Sequence, residues 1–271
     1  MEVRTMLAAE IEAGRGRVLD AELKQKMDAW VSSVSSPAPP SSPASVSLPT
    51  PPSSPTPVAF TAPAPAPSPA PGGGEARRQQ MAALVARAEA CTRCGLHMTR
   101  NRVVTGVGDL DSPLMLVGEA PGHEEDQTGE PFVGRAGQLL NRILAAIELD
   151  RRQVYIANVI KCRPPENRNP APAEIATCSP FLFEQIELVQ PQVICALGRF
   201  AAATLLRTNQ SLAALRGRVH DYRGIPVVVT YHPSALLRYP AYKRPTWEDM
   251  QVVQRLLAGV AAPAVTAGIK D

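Results

Sequence analysis

The sequence predicts an α/β protein, with a parallel sheet covered by helices on both faces, behind a disordered Pro/Ala/Ser-rich N-terminal extension. Two observations carry this. First, short and nearly continuously apolar runs alternate with helical segments from residue 75 onward, as buried parallel strands and their crossovers do. Second, 14 of the 28 prolines fall between Ser35 and Gly74, a stretch with no Asp, Glu, Lys or Arg, so this part cannot join a packed core. The 271 residues therefore divide into a head (1–34), a linker (35–74) and a body (75–271) of 197 residues, long enough for one sizeable core.

In the head, Val18, Leu19, Leu23, Met27 and Trp30 recur at helical spacing, giving a short amphipathic helix over Val18–Val34. Alone in water it is marginal, so it is a loosely ordered tail or a segment that docks a protein partner. The linker is expected to be extended and polyproline-like, a tether. In the body, Glu75–Ala90 has helical composition and Leu114–Val117 is a strand ending in a Gly-rich turn. Ala136–Leu149 is a helix, Val154–Ile160 a strand, and Ala173–Val189 a helix preceded by Pro172. Val193–Leu197 is a strand closed by Gly198, and Phe200–Leu206 a helix. Arg218–Tyr222 followed by Arg223-Gly224 suggests an extra hairpin strand before the strand Val227–Tyr231, and Trp247–Val260 is the last helix.

Charge narrows the function classes only a little. The head is −1, the linker neutral and the body +4, compatible with a polyanionic partner without demanding one. No run of about 18 apolar residues exists, so no membrane association is expected. Glu2, Glu10 and Glu12 fit neither a signal peptide nor a mitochondrial presequence, which points to a cytoplasmic protein and away from a disulfide framework for the five cysteines.

Ligands of such sheets bind beyond the carboxyl ends of the strands, so those positions are the candidates. After the first strand come Gly118-Glu119-Ala120-Pro121-Gly122-His123-Glu124-Glu125-Asp126 and then Pro131-Phe132-Val133-Gly134-Arg135-Ala136-Gly137. Near the end of the second is Asn158, followed by Lys161-Cys162-Arg163-Pro164, and after the fourth comes His232-Pro233-Ser234-Ala235-Leu236-Leu237-Arg238. Cys91 and Cys94 form a C-x2-C pair, Cys162 follows after 67 residues and Cys178 after 15 more. Four thiolates from distant segments suit a structural zinc ion or a [4Fe–4S] cluster, and spacing does not choose. Cys195, inside an apolar strand, is a small core residue.

These segments resemble the uracil-DNA glycosylase superfamily, specifically its type-4 (family 4) enzymes. The GEAPG…ED…PFVGRAG and HPSALLR blocks carry the likeness, which spans roughly Ala90 to Leu257. The resemblance implies a three-layer α/β/α sandwich on a four-stranded parallel sheet and a [4Fe–4S] cluster on Cys91, Cys94, Cys162 and Cys178. It implies a monomer that hydrolyses the N-glycosidic bond of deoxyuridine in single- or double-stranded DNA. A branch that crosslinks to its substrate carries a basic KRRIH insertion; here Arg163–Ala171 reads RPPENRNPA, so ordinary turnover is expected.

The resemblance also assigns roles. Asn158 reads the pyrimidine edge, since an amide offers the acceptor and donor complementary to N3–H and O4. Phe132 stacks on the ring. His232 donates to O2 of the leaving base, and backbone N–H groups of the Glu119–Ala120 turn assist. Another branch has Asp at the position of Ala120; with that carboxylate missing, Glu119 is the most economical group to orient water or stabilise the sugar cation. Glu125 is expected to restrict the space near C5. Leu236, Leu237 and Arg238 are expected to fill the gap left by a flipped base and hold phosphate. The rival reading is a non-catalytic iron–sulfur module that binds DNA or senses redox state, but a mere binder needs neither Asn158 nor His232 at a strand end.

Overall fold

The computed structural model describes residues 74–259, together with Gln25 and Ala29, two exposed helical residues of the head. The rest of the expected Val18–Val34 helix, the linker up to residue 73 and the end from Val260 lie outside the described residues.

Five strands form one sheet in the order β2-β1-β3-β5-β4. They are β1 (Leu114–Gly118), β2 (Val154–Asn158), β3 (Val193–Leu197), β4 (Val219–Tyr222) and β5 (Ile225–Thr230). Four run parallel, and β4 is added antiparallel on β5, so the expected four-stranded parallel sheet is a five-stranded mixed one. The extra strand is the hairpin suggested by Arg223-Gly224: both residues have positive φ, 52° and 87°, the geometry that closes a tight two-residue turn with the sheet's own twist. The outer edge of β2 is covered by Val107, which exchanges backbone hydrogen bonds of 2.9 and 2.7 Å with Ile156.

Strand period sorts the core into two halves. Met115, Val117, Tyr155, Ala157, Ile194, Ala196, Val227 and Val229 face one side, with Leu84 of α1 (Gly74–Glu89). Leu114, Leu116, Val154, Ile156, Val193, Cys195 and Val228 face the other, with Leu139, Leu140, Ile143 and Leu144 of α3 (Arg135–Ala146). Between these helices lies a short α2 (His123–Thr128). The first face is also covered by α4 (Pro172–Val189) through Leu182 and Ile186, and by α5 (Arg199–Leu206) through Ala201, Ala202 and Leu205. After the one-turn α6 (Leu212–Leu215) and α7 (Pro233–Arg238), α8 (Lys243–Leu257) adds Trp247, Met250 and Val253 to the second. The result is the three-layer sandwich. Each strand is buried along its length, apart from parts of the β4–β5 hairpin, because helices cover both faces. None of the described helices is long and apolar enough to cross a membrane.

Candidate active site

The parallel strands end along one edge of the sheet. There β1 lies between β2 and β3, and the connections turn to opposite sides, the place where a crevice opens in such sheets. Gly118, the last residue of β1, is in register with Asn158, the last of β2. A Cβ at Gly118 would collide with Asn158 Oδ1 and lie 2.6 Å from Phe132 Cζ. Glycine at this point lets the amide and the ring close on the same spot.

Asn158 is almost fully buried, and its Oδ1 accepts no hydrogen bond among the described residues. An orphaned buried acceptor costs about 1–3 kcal/mol unless water or a ligand meets it, and Asn158 Oδ1 shares this state with the Ser112 and Thr230 hydroxyls among the described residues.

Phe132 is placed by strain and by a clamp. Its φ is +54°, unusual for a ring-bearing residue. Gly137, at the start of α3, leaves room for the Phe132 carbonyl, into which any Cβ would run. Arg151 donates to the carbonyls of Phe132 (3.1 Å) and Pro131 and to Glu130 Oε1 (3.1 Å). Glu125 secures the other side. Its Oε1 accepts from the N–H groups of Val133 and Gly134, each at 2.9 Å, and its Oε2 from Gly122 N–H at 3.1 Å. The carboxylate expected near C5 thus ties the Gly118–Gly122 turn to the Phe132 loop and acts on the pocket through their backbones.

His232 caps the N-terminus of α7. Its Nδ1 accepts from Ser234 N–H at 3.2 Å and stands 2.8 Å from Ser234 Oγ. With Nδ1 accepting, the proton of the neutral ring sits on Nε2. Burial pushes the imidazole pKa down to about 4, and Arg238 adds a smaller push, so the ring is neutral at pH 7. The ring centroid lies 5.4 Å from that of Phe132. The junction that carries His232 is held by Tyr231, which stacks on Tyr242 at 4.1 Å, with the Arg216 guanidinium 4.4 Å from its centroid.

Glu119 follows Gly118 directly. Burial raises its carboxyl to about 7, opposed by the Arg199 guanidinium. Arg199 opens α5 just beyond the end of β3; its signal in the sequence was its place after Gly198, which closes that strand. Ala120 is half-buried beside the Glu119 turn and brings no polar side chain.

The Leu236–Arg238 segment divides. Leu236 is 1% exposed and packs in the core, which corrects its assignment as a DNA contact: α7 turns it inward among apolar neighbours. Leu237, 38% exposed, and Arg238 face outward. Sequence spacing could not separate adjacent leucines before the phase of this short helix was known.

On the far side of Asn158, Cys91, Cys94, Cys162 and Cys178 line one cavity with Ala88, His97, Arg100, Lys161, Thr177 and Phe181. All four are free thiols. Arg100 Nη1 donates to Cys162 Sγ (3.1 Å), Lys161 N–H to Cys178 Sγ (3.2 Å) and Arg93 Nε to Cys91 Sγ (3.5 Å). His97 turns its Nδ1–H to the Cys94 carbonyl at 2.7 Å, a capping histidine.

The fold and this edge define an α/β protein whose strand ends bring Asn158, Phe132 and His232 together. The family model described as the uracil DNA glycosylase superfamily matches residues 105–251, and the chain belongs to that superfamily. It is 48% identical over 164 residues to a type-4 uracil-DNA glycosylase of Thermotoga maritima, covering 60% of this chain and 85% of that protein. It is 41% identical over 174 residues to the type-4 uracil-DNA glycosylase of Archaeoglobus fulgidus, covering 61% and 87%. A type-5 uracil-DNA glycosylase of Pyrobaculum aerophilum is 36% identical over 152 residues, covering 50% and 67%.

Proposed function

We propose that this chain is a uracil-DNA glycosylase of DNA repair, releasing uracil and leaving an abasic site. The observation that carries the reading is the buried, unpartnered Asn158 Oδ1 beside the Phe132 ring at the end of the sheet. A base must leave the duplex to be reached. Once in the pocket, uracil presents N3–H to Asn158 Oδ1 and O4 to its NH2 group, and its face to Phe132. Cytosine reverses both contacts.

Water adds to the sugar C1′ as its bond to the base nitrogen breaks, so positive charge gathers on the sugar and negative charge on uracil. His232 Nε2–H donates to the O2 that gains the charge. A neutral imidazole does this without transferring a proton, and the donor is already oriented by Ser234. Glu119, when ionised, faces the sugar side, orienting water or stabilising the cation.

The donor set suits a [4Fe–4S] cluster. Four thiols from three segments surround one space, and N–H groups point at three of the sulfurs, as they do around thiolate-bound clusters. Cys91, Cys94, Cys162 and Cys178 would hold it. When bound it supplies a cross-link between the segment after α1, the turn after β2 and the first half of α4.

The test is incubation of the purified chain with a uracil-containing oligonucleotide, followed by alkaline cleavage at abasic sites. Strand breaks at the uracil are expected. In Asn158→Asp they should fall sharply, while slow breaks appear at cytosine, because the carboxylate accepts from N4–H2. No cleavage above background by the cluster-loaded parent would overturn the reading.

A further inference from the structure

Lys161 is the largest of the fully buried side chains, and neither the reading of uracil nor the breaking of its bond uses it. Its Nζ donates to the backbone carbonyl of Asn158 at 2.8 Å and to Gln185 Oε1 at 2.5 Å. It is in none of the ion pairs among the described residues. Burying such a group against neutral oxygens is costly, and an apolar side chain of similar length would cost less. What the lysine gains must lie in what it holds.

We infer that Lys161 is a positioning residue that ties the cysteine cavity to Asn158 and sets the base-reading amide in place. The chain of contacts runs as follows. After Asn158 the backbone stays attached to the β1 turn through Val159 N–H to Gly118 O (3.0 Å) and Ile160 N–H to Glu119 O (3.2 Å). Lys161 then offers its own N–H to Cys178 Sγ and bends its side chain back to the Asn158 carbonyl. Gln185, which anchors Nζ, stands seven residues beyond Cys178 on α4, two turns along the same face. Gln185 is itself locked, its Nε2 donating to Thr105 O (2.7 Å) and Tyr155 Oη (3.1 Å). One residue therefore joins a cysteine, α4 and the peptide plane from which the Asn158 side chain springs. An orphan acceptor reads a base only if it is held still, and this lysine fixes its root.

The inference rests on the proposed function, and its test keeps the two apart. In the full-length, iron-loaded protein, Lys161→Met removes the donor and keeps the bulk, and Gln185→Met removes the anchor from the other side. Two readouts are taken: hydrogen–deuterium exchange of the amides of Val159, Ile160 and Lys161, and single-turnover excision of uracil with its dependence on enzyme concentration. In both variants exchange in this segment should accelerate at least tenfold while α3 and α8 keep parental protection. The maximal excision rate should fall at least tenfold, with the half-saturating concentration within twofold of the parent and iron content unchanged. Parental exchange and parental excision in either folded variant would overturn the inference. So would a uniform rise in exchange across α3 and α8, the mark of a merely structural role. If the parent itself excises no uracil, the proposed function fails while the exchange readout still decides whether Lys161 holds the end of β2. If Lys161→Met does not fold, Gln185→Met carries the decision.

Discussion

Glu119 follows the end of β1 and His232 the end of β5, and burial favours the neutral form of each, raising the carboxyl pKa and lowering that of the imidazole. For Glu119, burial favours the protonated form, so between about 4.5 and 7 the folded chain binds more protons than the unfolded one. The stability it lends as a neutral acid is therefore complete below about 4.5 and is lost as pH rises through about 7. For His232 the shift is downward, so the stability it lends as a neutral ring is complete above about 6.5 and is lost as pH falls toward about 4. If the ionised carboxylate serves the sugar cation, single-turnover excision should rise with pH through about 7. Glu119→Gln should remove that limb and lower the plateau about tenfold or more. Arg199→Ala, which takes away the one charge that favours ionisation, should move the limb upward. His232 is already neutral across this window and contributes no limb to it. A limb unchanged in Glu119→Gln would assign the titration to another group.

At the scale of an element, α7 gives two adjacent leucines different work. Leu236 is core, and its truncation to Ala should destabilise the fold by about 2–5 kcal/mol in a denaturant titration. Leu237 is on the surface, and Leu237→Ala should change stability by no more than about 0.5 kcal/mol. An exposed apolar side chain beside Arg238 suits the gap left in a stack by a departed nucleotide. Leu237→Ala should therefore slow excision from duplex DNA more than from single strands, which have no stack to hold open. Equal slowing on both substrates would remove the wedge role.

For the whole molecule, the four cysteines come from pieces that the sheet alone does not join. Cys91 and Cys94 follow α1, Cys162 follows β2 and Cys178 lies in α4, so a cluster would connect the start of the fold to the root of the reading residue. Protein purified without air should be brown and carry about four irons per chain. Cys162→Ala should lose colour and iron, melt at a lower temperature and excise more slowly, because its segment begins at Asn158. Stoichiometric zinc in a colourless parent would replace the cluster with the rival site.

Much of this was legible in the sequence. Strands buried on both faces are continuously apolar, and helices keep their own period, so β1, β2, β3 and β5 and the longer helices announce themselves. The cysteine spacing, Asn158 and His232 stood out as polar or ligating residues at strand ends. Other features depended on groups distant in sequence. Glu125 reads as a pocket carboxylate until the Phe132 loop folds over it and uses both its oxygens. Leu236 and Leu237 differ only once α7 has a phase against the core. Arg199, Gln185 and Lys161 carry no motif that names their roles, because each acts through a partner up to 80 residues away. Sequence determined which segments are strands, helices and strand-end loops, since local period and turn chemistry act over a few residues. Tertiary structure alone decided which side chains share the pocket and which merely hold it, since burial and hydrogen bonding between distant segments exist only after the layers have packed.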